Sequence, residues 1–163
     1  MNRSGPGVVF DCTIFLQALA NHRGPAFACK RLVDDGRAVL FLSPDVLNRP
    51  ELRQKLRALT AERAQVFLAD VQAKAQMLAS VPAVFSFPRD PKDEPYLNLA
   101  LAAGARYLVA WDKDLLDLMN DSTADGRDFQ QRFPALRIVT PVAFLQEVSR
   151  QSTAETDTPE PKA

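Results

Sequence analysis

The chain holds a single histidine, His22, which leaves little room for chemistry built on paired imidazoles or on a Ser-His-Asp triad. His22 follows Asn21 and reads as a solvent-facing turn residue. Cysteine is nearly as scarce. Cys12 and Cys29 each lie in an apolar stretch and form no metal-type pair. They read as small buried thiols of a reducing compartment, not as a disulfide. No apolar run approaches the roughly 20 residues that would span a bilayer. Residues Met1 to Gly7 are too short and polar a stretch for a secretory signal, so a cytoplasmic location without a membrane partner is expected. Excess charge is missing too: 20 basic residues balance 20 acidic ones. A globally basic nucleic-acid binder is thereby excluded, while a local basic patch is not.

What remains is ordinary for a soluble globular chain, with 47% hydrophobic and 25% charged residues. At 163 residues it has the size of one domain with one core. Val8-Val9-Phe10 is a short apolar run ending at Asp11, as a buried parallel strand would. Ile14, Phe15, Ala18 and Leu19 then follow at helical spacing. Pro25 opens a second helix that Gly36 closes. Ala38 to Leu42 is the second strand, and Ser43-Pro44 reads as an N-cap with proline at the first helical position. Pro50 interrupts that helix. Asn48 with Glu51 resembles a fresh capping box for a helix reaching about Leu59. Thr60 caps a longer helix with Phe67, Val71 and Leu78 on its inner face.

Ala83 to Phe87 is expected as the third strand, followed by the proline-rich stretch from Pro88 to Pro95. A helix from Glu94 to Ala103 ends at Gly104. Arg106 to Ala110 is the fourth strand, and Leu115 to Met119 is helical. Asp121 to Phe133 reads as a polar loop, Arg137 to Thr140 as the fifth strand, and Val142 to Ser149 as a last short helix. The domain is thus expected over residues 1–149, with a disordered tail over 150–163 that is nearly devoid of apolar residues. Alternating strands and helices predict an α/β fold, a mostly parallel sheet of about five strands covered on both faces. In such sheets ligands bind at the edge where the strands end, so residues just after strands are the ones to inspect.

Three aspartates occupy such places: Asp11 after the first strand, Asp112 after the fourth, and Asp93 before the helix between strands three and four. Carboxylates gathered in one crevice repel one another, so some are protonated or a cation lies between them. Aspartate oxygens favour hard ions such as Mg²⁺ or Mn²⁺, which activate water and stabilise charge on a phosphodiester. Each has a plain structural role available as well: Asp11 and Asp93 as helix caps, Asp112 and Asp114 as turn residues. Arg49, Arg53 and Arg57 recur every four residues and form either a phosphate-tracking stripe or a solvated helix face. Lys92, Arg89 and Lys113 flank the acids more closely. Trp111 reads equally as a base-stacking residue or as a core tryptophan.

Val8-Val-Phe-Asp11-Cys-Thr resembles the opening strand and first acid of the PIN domain family. The segment Asp90-Pro-Lys-Asp93, with Leu97 to Val109 and Trp111-Asp-Lys-Asp-Leu-Leu116, is similar to the branch described as toxin components of toxin–antitoxin systems. Thr140-Pro-Val-Ala-Phe-Leu145 fits that branch too, so the resemblance covers about residues 8–148. It implies a Rossmann-like sheet and a metal-dependent ribonuclease, often dimeric and often neutralised by a small antitoxin. On this resemblance Asp11, Asp93 and Asp112 are the catalytic and metal-binding acids, using Mg²⁺ or Mn²⁺. Asp90, Asp114, Thr13 and Ser43 are accessory to them, and Lys92, Lys113 and Arg89 meet the RNA.

Two departures stand out. The family usually has Asn or Ser two residues after the first acid, where Thr13 stands here; its hydroxyl still suits orienting Asp11 or a water. Family members also carry a glutamate about two turns into the helix after the second strand. Here that register holds Asn48 and Arg49. Setting Asp45 to Leu52 against the downstream end of the family helix implies that about seven residues, two turns, are missing. Asp45 or Glu51 would have to substitute, and nothing in a shortened helix obliges either to face the crevice. The competing expectation is therefore a non-catalytic PIN-like module that binds RNA or a protein. A phosphatase of the haloacid-dehalogenase type ranks below both, because it wants a second aspartate where Thr13 stands.

Overall fold

The computed structural model describes residues 5–156, without the side chains of 152–156. Five strands form one parallel sheet in the order β3-β2-β1-β4-β5. They are β1 (Gly7–Phe10), β2 (Val39–Leu42), β3 (Gln76–Met77), β4 (Tyr107–Val109) and β5 (Arg137–Val139). Consecutive residues Val8, Val9 and Phe10 of β1 are all buried, as are all three residues of β4, which requires cover on both faces of the sheet. The helix α6 (Glu94–Ala103) packs on β1, β2 and β4. The helix α2 (Pro25–Asp34) packs on both α1 (Cys12–Ala20) and α9 (Pro141–Thr156), and α9 also reaches β4.

Four of the five strands lie where apolar runs predict them; the third does not. Instead of Ala83 to Phe87, the edge strand is Gln76–Met77, which follows α5 (Ala61–Lys74) and pairs with Phe41 and Leu42. The expected segment is kept out of the sheet because its amides are taken by side chains of α6. Asn98 Oδ1 accepts from Val84 N at 3.0 Å and Phe85 N at 2.9 Å, while its Nδ2 donates to Phe85 O at 3.1 Å. Glu94 accepts from Phe87 N at 2.8 Å. The apolar residues of the segment anchor it from the side: Phe87 is buried, and the Phe85 ring meets Phe129 at 5.1 Å.

Asn98 is itself buried, and losing its amide takes the partner from both Phe85 N and Phe85 O, while Val84 N keeps Pro82 O at 3.1 Å. The variant Asn98→Ala is expected to lose about 2 kcal/mol, read from the midpoint of a urea transition with the slope unchanged. An unaltered midpoint would mean the segment is held by Phe85 and Phe87 alone.

Three further differences have local causes. The stretch expected as a polar loop contains α8 (Ala124–Arg132), capped by Thr123 Oγ1 accepting from Gly126 N at 3.0 Å. Gly126 is needed there, since a Cβ would meet Asn120 O at 2.1 Å. The last helix does not stop at Ser149: α9 runs on to Thr156, so the expected tail is helical over its first part, and residues 157–163 lie outside the described ones. Finally, the helix after Ser43 is interrupted before Pro50 as expected, giving α3 (Pro44–Leu47) and α4 (Pro50–Leu56), but α4 starts differently. The Asn48–Glu51 capping box does not form. Asn48 instead accepts from the Arg53 guanidinium at 3.0 Å, and Arg53 also donates to Leu47 O at 2.9 Å. Two arginines of the supposed stripe are thus engaged locally, Arg53 on α3 and Arg49 on Glu51 at 3.3 Å.

Candidate metal centre

The sheet order places the switch point between β1 and β4: the chain builds β2 and β3 on one side, then returns to build β5 on the other. Beyond the carboxyl ends of that pair the diverging connections leave a crevice. A cavity of about 770 Å³ opens there, lined by Asp11, Glu51, Asp90, Asp93 and Asp112 among others.

Each acid reaches the cavity by a local device. Asp11 follows β1, its backbone N–H donating to Val109 O of β4 at 3.2 Å. Its Oδ1 accepts from Ile14 N at 3.1 Å, so it does cap α1, as the plainer role requires, and lines the cavity as well. Burial outweighs those amides and pushes Asp11 up to about 6, helped by the charge of Asp112. Asp90 and Asp93 are joined by a 3-10 turn over Pro91–Asp93, closed by Asp93 N donating to Asp90 O at 3.0 Å. Asp93 stands at the N-cap of α6 without making the capping bond. Asp112 caps α7 (Lys113–Leu116), its Oδ1 accepting from Asp114 N at 2.8 Å.

One oxygen from each of Asp90, Asp93 and Asp112 lies within 4.8 Å of the others. Asp93 is 8% exposed, and its Oδ2 is buried without a hydrogen-bond partner. A carboxylate stripped of water in this way is driven toward its protonated form. Burial is the first cause, followed by a hydrogen bond with Asp112 and the charges of Asp112, Asp90 and Asp11. An orphaned buried oxygen beside two more carboxylates is a donor set that suits a hard divalent cation. Asp90 belongs to this trio, although the sequence suggested only an accessory part. Asp11 lies in the same cavity outside it.

The other candidates fall into separate positions. Thr13 and Lys92 line the cavity. Arg89 does not: its guanidinium is held by Asp114 at 2.7 Å and Asp117 at 2.8 Å. Lys113 is exposed and outside the lining. Ser43 is buried as the cap of α3, accepting from Val46 N at 3.1 Å, and lines a neighbouring cavity with Asp45. Trp111 is not a core residue; it is exposed at the cavity wall.

Sequence reasoning missed the wall made by α4 and the turn that follows it. Glu51, Gln54, Lys55 and Ala58 recur at helical spacing and all line the cavity. The shortened helix therefore does turn an acid into the crevice, Glu51. The periodicity was visible, but in a polar helix it does not say which face looks inward. Cys12 and Tyr96 complete the floor, and burial pushes both above their usual ranges.

Comparison with known proteins agrees with this architecture. A family model described as the PIN domain matches residues 7–114. Among solved structures, the chain is similar to one in the crystal structure of VapBC2 from Rickettsia felis bound to a DNA fragment from their promoter. The TM-score is 0.51 at 15% identity, covering 82% of this chain and 98% of that one. At that identity the likeness is one of fold. Among curated proteins there is no match.

Proposed function

Since this chain belongs to the PIN domain family, whose members are typically metal-dependent nucleases, we propose that it is a divalent-metal-dependent endoribonuclease. The observation that carries the reading is the trio Asp90, Asp93 and Asp112, together with the buried, unpartnered Oδ2 of Asp93. Asp90, Asp93 and Asp112 would hold Mg²⁺ or Mn²⁺, with Asp11 and Glu51 available on the same cavity. When bound, such an ion supplies Lewis acidity and lowers the pKa of a water. Hydrolysis forms one bond from phosphorus to the water oxygen and breaks one to a ribose oxygen, which leaves with a proton. The chain's own residues position these groups. Asp11, fixed by the backbone N–H groups of Ile14 and Thr13, would present charge on the β1 side, and Thr13 lines the same cavity. Lys92 on the rim attracts the backbone phosphate.

The fold neighbour, VapBC2 bound to a DNA fragment from its promoter, suits the toxin–antitoxin branch that the sequence resembles, and with it a small antitoxin as partner and a toxin role for this chain. A homodimer and a cytoplasmic setting belong to the same reading. No helix among the described residues is long and apolar enough to cross a membrane. The non-catalytic alternative rested on the absent glutamate, and Glu51 in the cavity weakens it.

The test is cleavage of a mixed labelled RNA pool by folded protein in Mg²⁺, Mn²⁺ or EDTA. Metal-dependent cleavage that Asp112→Asn removes is the expected result; intact RNA in both metals would leave a binding module. A Glu51→Gln arm is expected to lower the rate roughly 10- to 100-fold, the range typical for groups that support a metal site. An unchanged rate would mean that Glu51 only pairs with Arg49.

A further inference from the structure

The assignment of the acids leaves one wall residue without a task. Trp111 is the chain's single tryptophan and is 40% exposed. Of the large exposed hydrophobic residues described, it is the one that lines the acidic cavity. Its place follows from the strand end: Ala110 is fully buried after β4 and Asp112 caps α7, so Trp111 is carried out over the sheet edge between them. The ring is fixed there, because its Nε1 donates to the Gln17 side chain on α1. An indole pinned at one edge and left in water beside a catalytic crevice is an open aromatic surface.

Lys55 supplies a second feature. It is exposed on α4 and lines the same cavity; its ammonium makes no hydrogen bond or ion pair among the described residues, and its charge bears on Asp11 across the cavity. Without a direct partner, the ammonium has its donors open to a ligand anion. With acidic and basic residues in balance over the chain, general attraction to phosphate is weak, and a few local contacts must carry the binding.

Resting on the nuclease reading above, we propose that Trp111 and Lys55 form a nucleotide subsite in the acidic cavity. An unpaired base stacks on the indole while Lys55 holds a phosphate of the same strand. The substrate is then single-stranded RNA, or a loop whose bases are splayed out. A base within a duplex has both faces covered by its neighbours and offers none to the tryptophan. Stacking of this kind tolerates any base, since each has a π-face.

The sole tryptophan is its own reporter. The full chain is titrated in Ca²⁺, an ion that accepts the same oxygen ligands, with ten-nucleotide oligouridylate, oligoadenylate, a blunt duplex, and an oligomer abasic at its centre. Tryptophan fluorescence and the anisotropy of labelled RNA are read together, with RNA integrity checked on a gel. Saturable quenching by both single strands is expected, with little by the duplex and less by the abasic strand. Trp111→Leu should weaken single-strand binding about 5- to 150-fold, and Trp111→Phe far less. Lys55→Ala should flatten the dependence of log affinity on log salt by about 0.7. Circular dichroism verifies that each variant is folded. Duplex bound as well as single strand, or Trp111→Leu bound as tightly as the parent, overturns the subsite; metal-dependent cleavage persisting beside that result leaves the nuclease reading standing. No binding and no cleavage of any RNA overturns both.

Discussion

Asp93→Asn is expected to make the metal-free protein more stable and the metal-loaded protein inactive. Asparagine keeps the shape of the side chain and removes its charge from among Asp11, Asp90 and Asp112, where burial and repulsion oppose ionisation. The sign follows from linkage. The folded protein holds the Asp93 proton more tightly than the unfolded chain, whose carboxylates titrate near pH 4. Stability contributed by the protonated form is complete below that value and is lost as pH rises through the folded-state pKa. Asp11, raised to about 6, behaves in the same sense over pH 4 to 6, and Asp93 extends the loss upward. In EDTA the advantage of the variant should thus grow with pH, reaching on the order of 2 kcal/mol by pH 8, or about 4–8 °C in Tm. Adding Mg²⁺ or Mn²⁺ reverses the order. An ion at 100 times its Kd adds about 2.7 kcal/mol to the parent, and the variant lacks the ligand that would earn it. A scan by differential calorimetry at pH 5 and 8, with and without metal, separates these cases. A variant less stable than the parent in EDTA at pH 8 would mean that the acids are not strained, and the metal site would fall with that result.

The second large effect lies far from the acids. Phe129 on α8 is completely buried, with its ring 5.1 Å from that of Phe85 and 5.2 Å from that of Phe133. It is the one large apolar side chain of α8 and joins that helix to the segment displaced from the sheet. Phe129→Ala is expected to cost about 3–5 kcal/mol, from lost transfer energy and from the cavity left behind. Such a loss is a large part of the 5–15 kcal/mol typical of a domain and corresponds to a drop of roughly 6–20 °C in Tm. Thermal unfolding followed by circular dichroism checks it. A drop of only one or two degrees would show that α8 detaches without disturbing the core.

These two residues also mark what the sequence does and does not disclose. Strands β1 and β4 are legible because a parallel strand buried on both faces must be apolar without a break, as Val8-Val-Phe10 and Tyr107-Leu-Val109 are, and β2 and β5 because Val39-Leu-Phe-Leu42 and Ile138-Val139 are apolar runs as well. The edge strand Gln76–Met77 is exposed and two residues long, so no burial pattern announces it. Ala83 to Phe87 has the composition of a strand, yet its partners lie on α6, a contact that adjacent residues cannot reveal. Helix α8 is hidden for the opposite reason: a single phenylalanine anchors it, and one apolar residue has no period. In the site, Asp11 and Asp112 could be singled out by position, since the topology sends strand ends to one edge, whereas Asp93 stands at the start of α6 and follows no strand. Asp90 enters the trio through a 3-10 turn, and Glu51 and Lys55 through the orientation of α4, both of which depend on packing.

The order of the strands has a bearing on how such a protein is made. The crevice is walled by Asp11 near the start of the chain, Glu51, the turn at Asp90 and Asp93, and Asp112 after β4, and β1 pairs with β4 across it. Translation delivers these pieces one after another, at about 5–20 residues per second. Until Tyr107–Val109 has left the ribosome, β1 has no partner on that side and Asp112 has no place to stand. A growing or prematurely ended chain therefore lacks the acid cluster, and whatever the cluster does begins only when synthesis of the sheet is nearly complete.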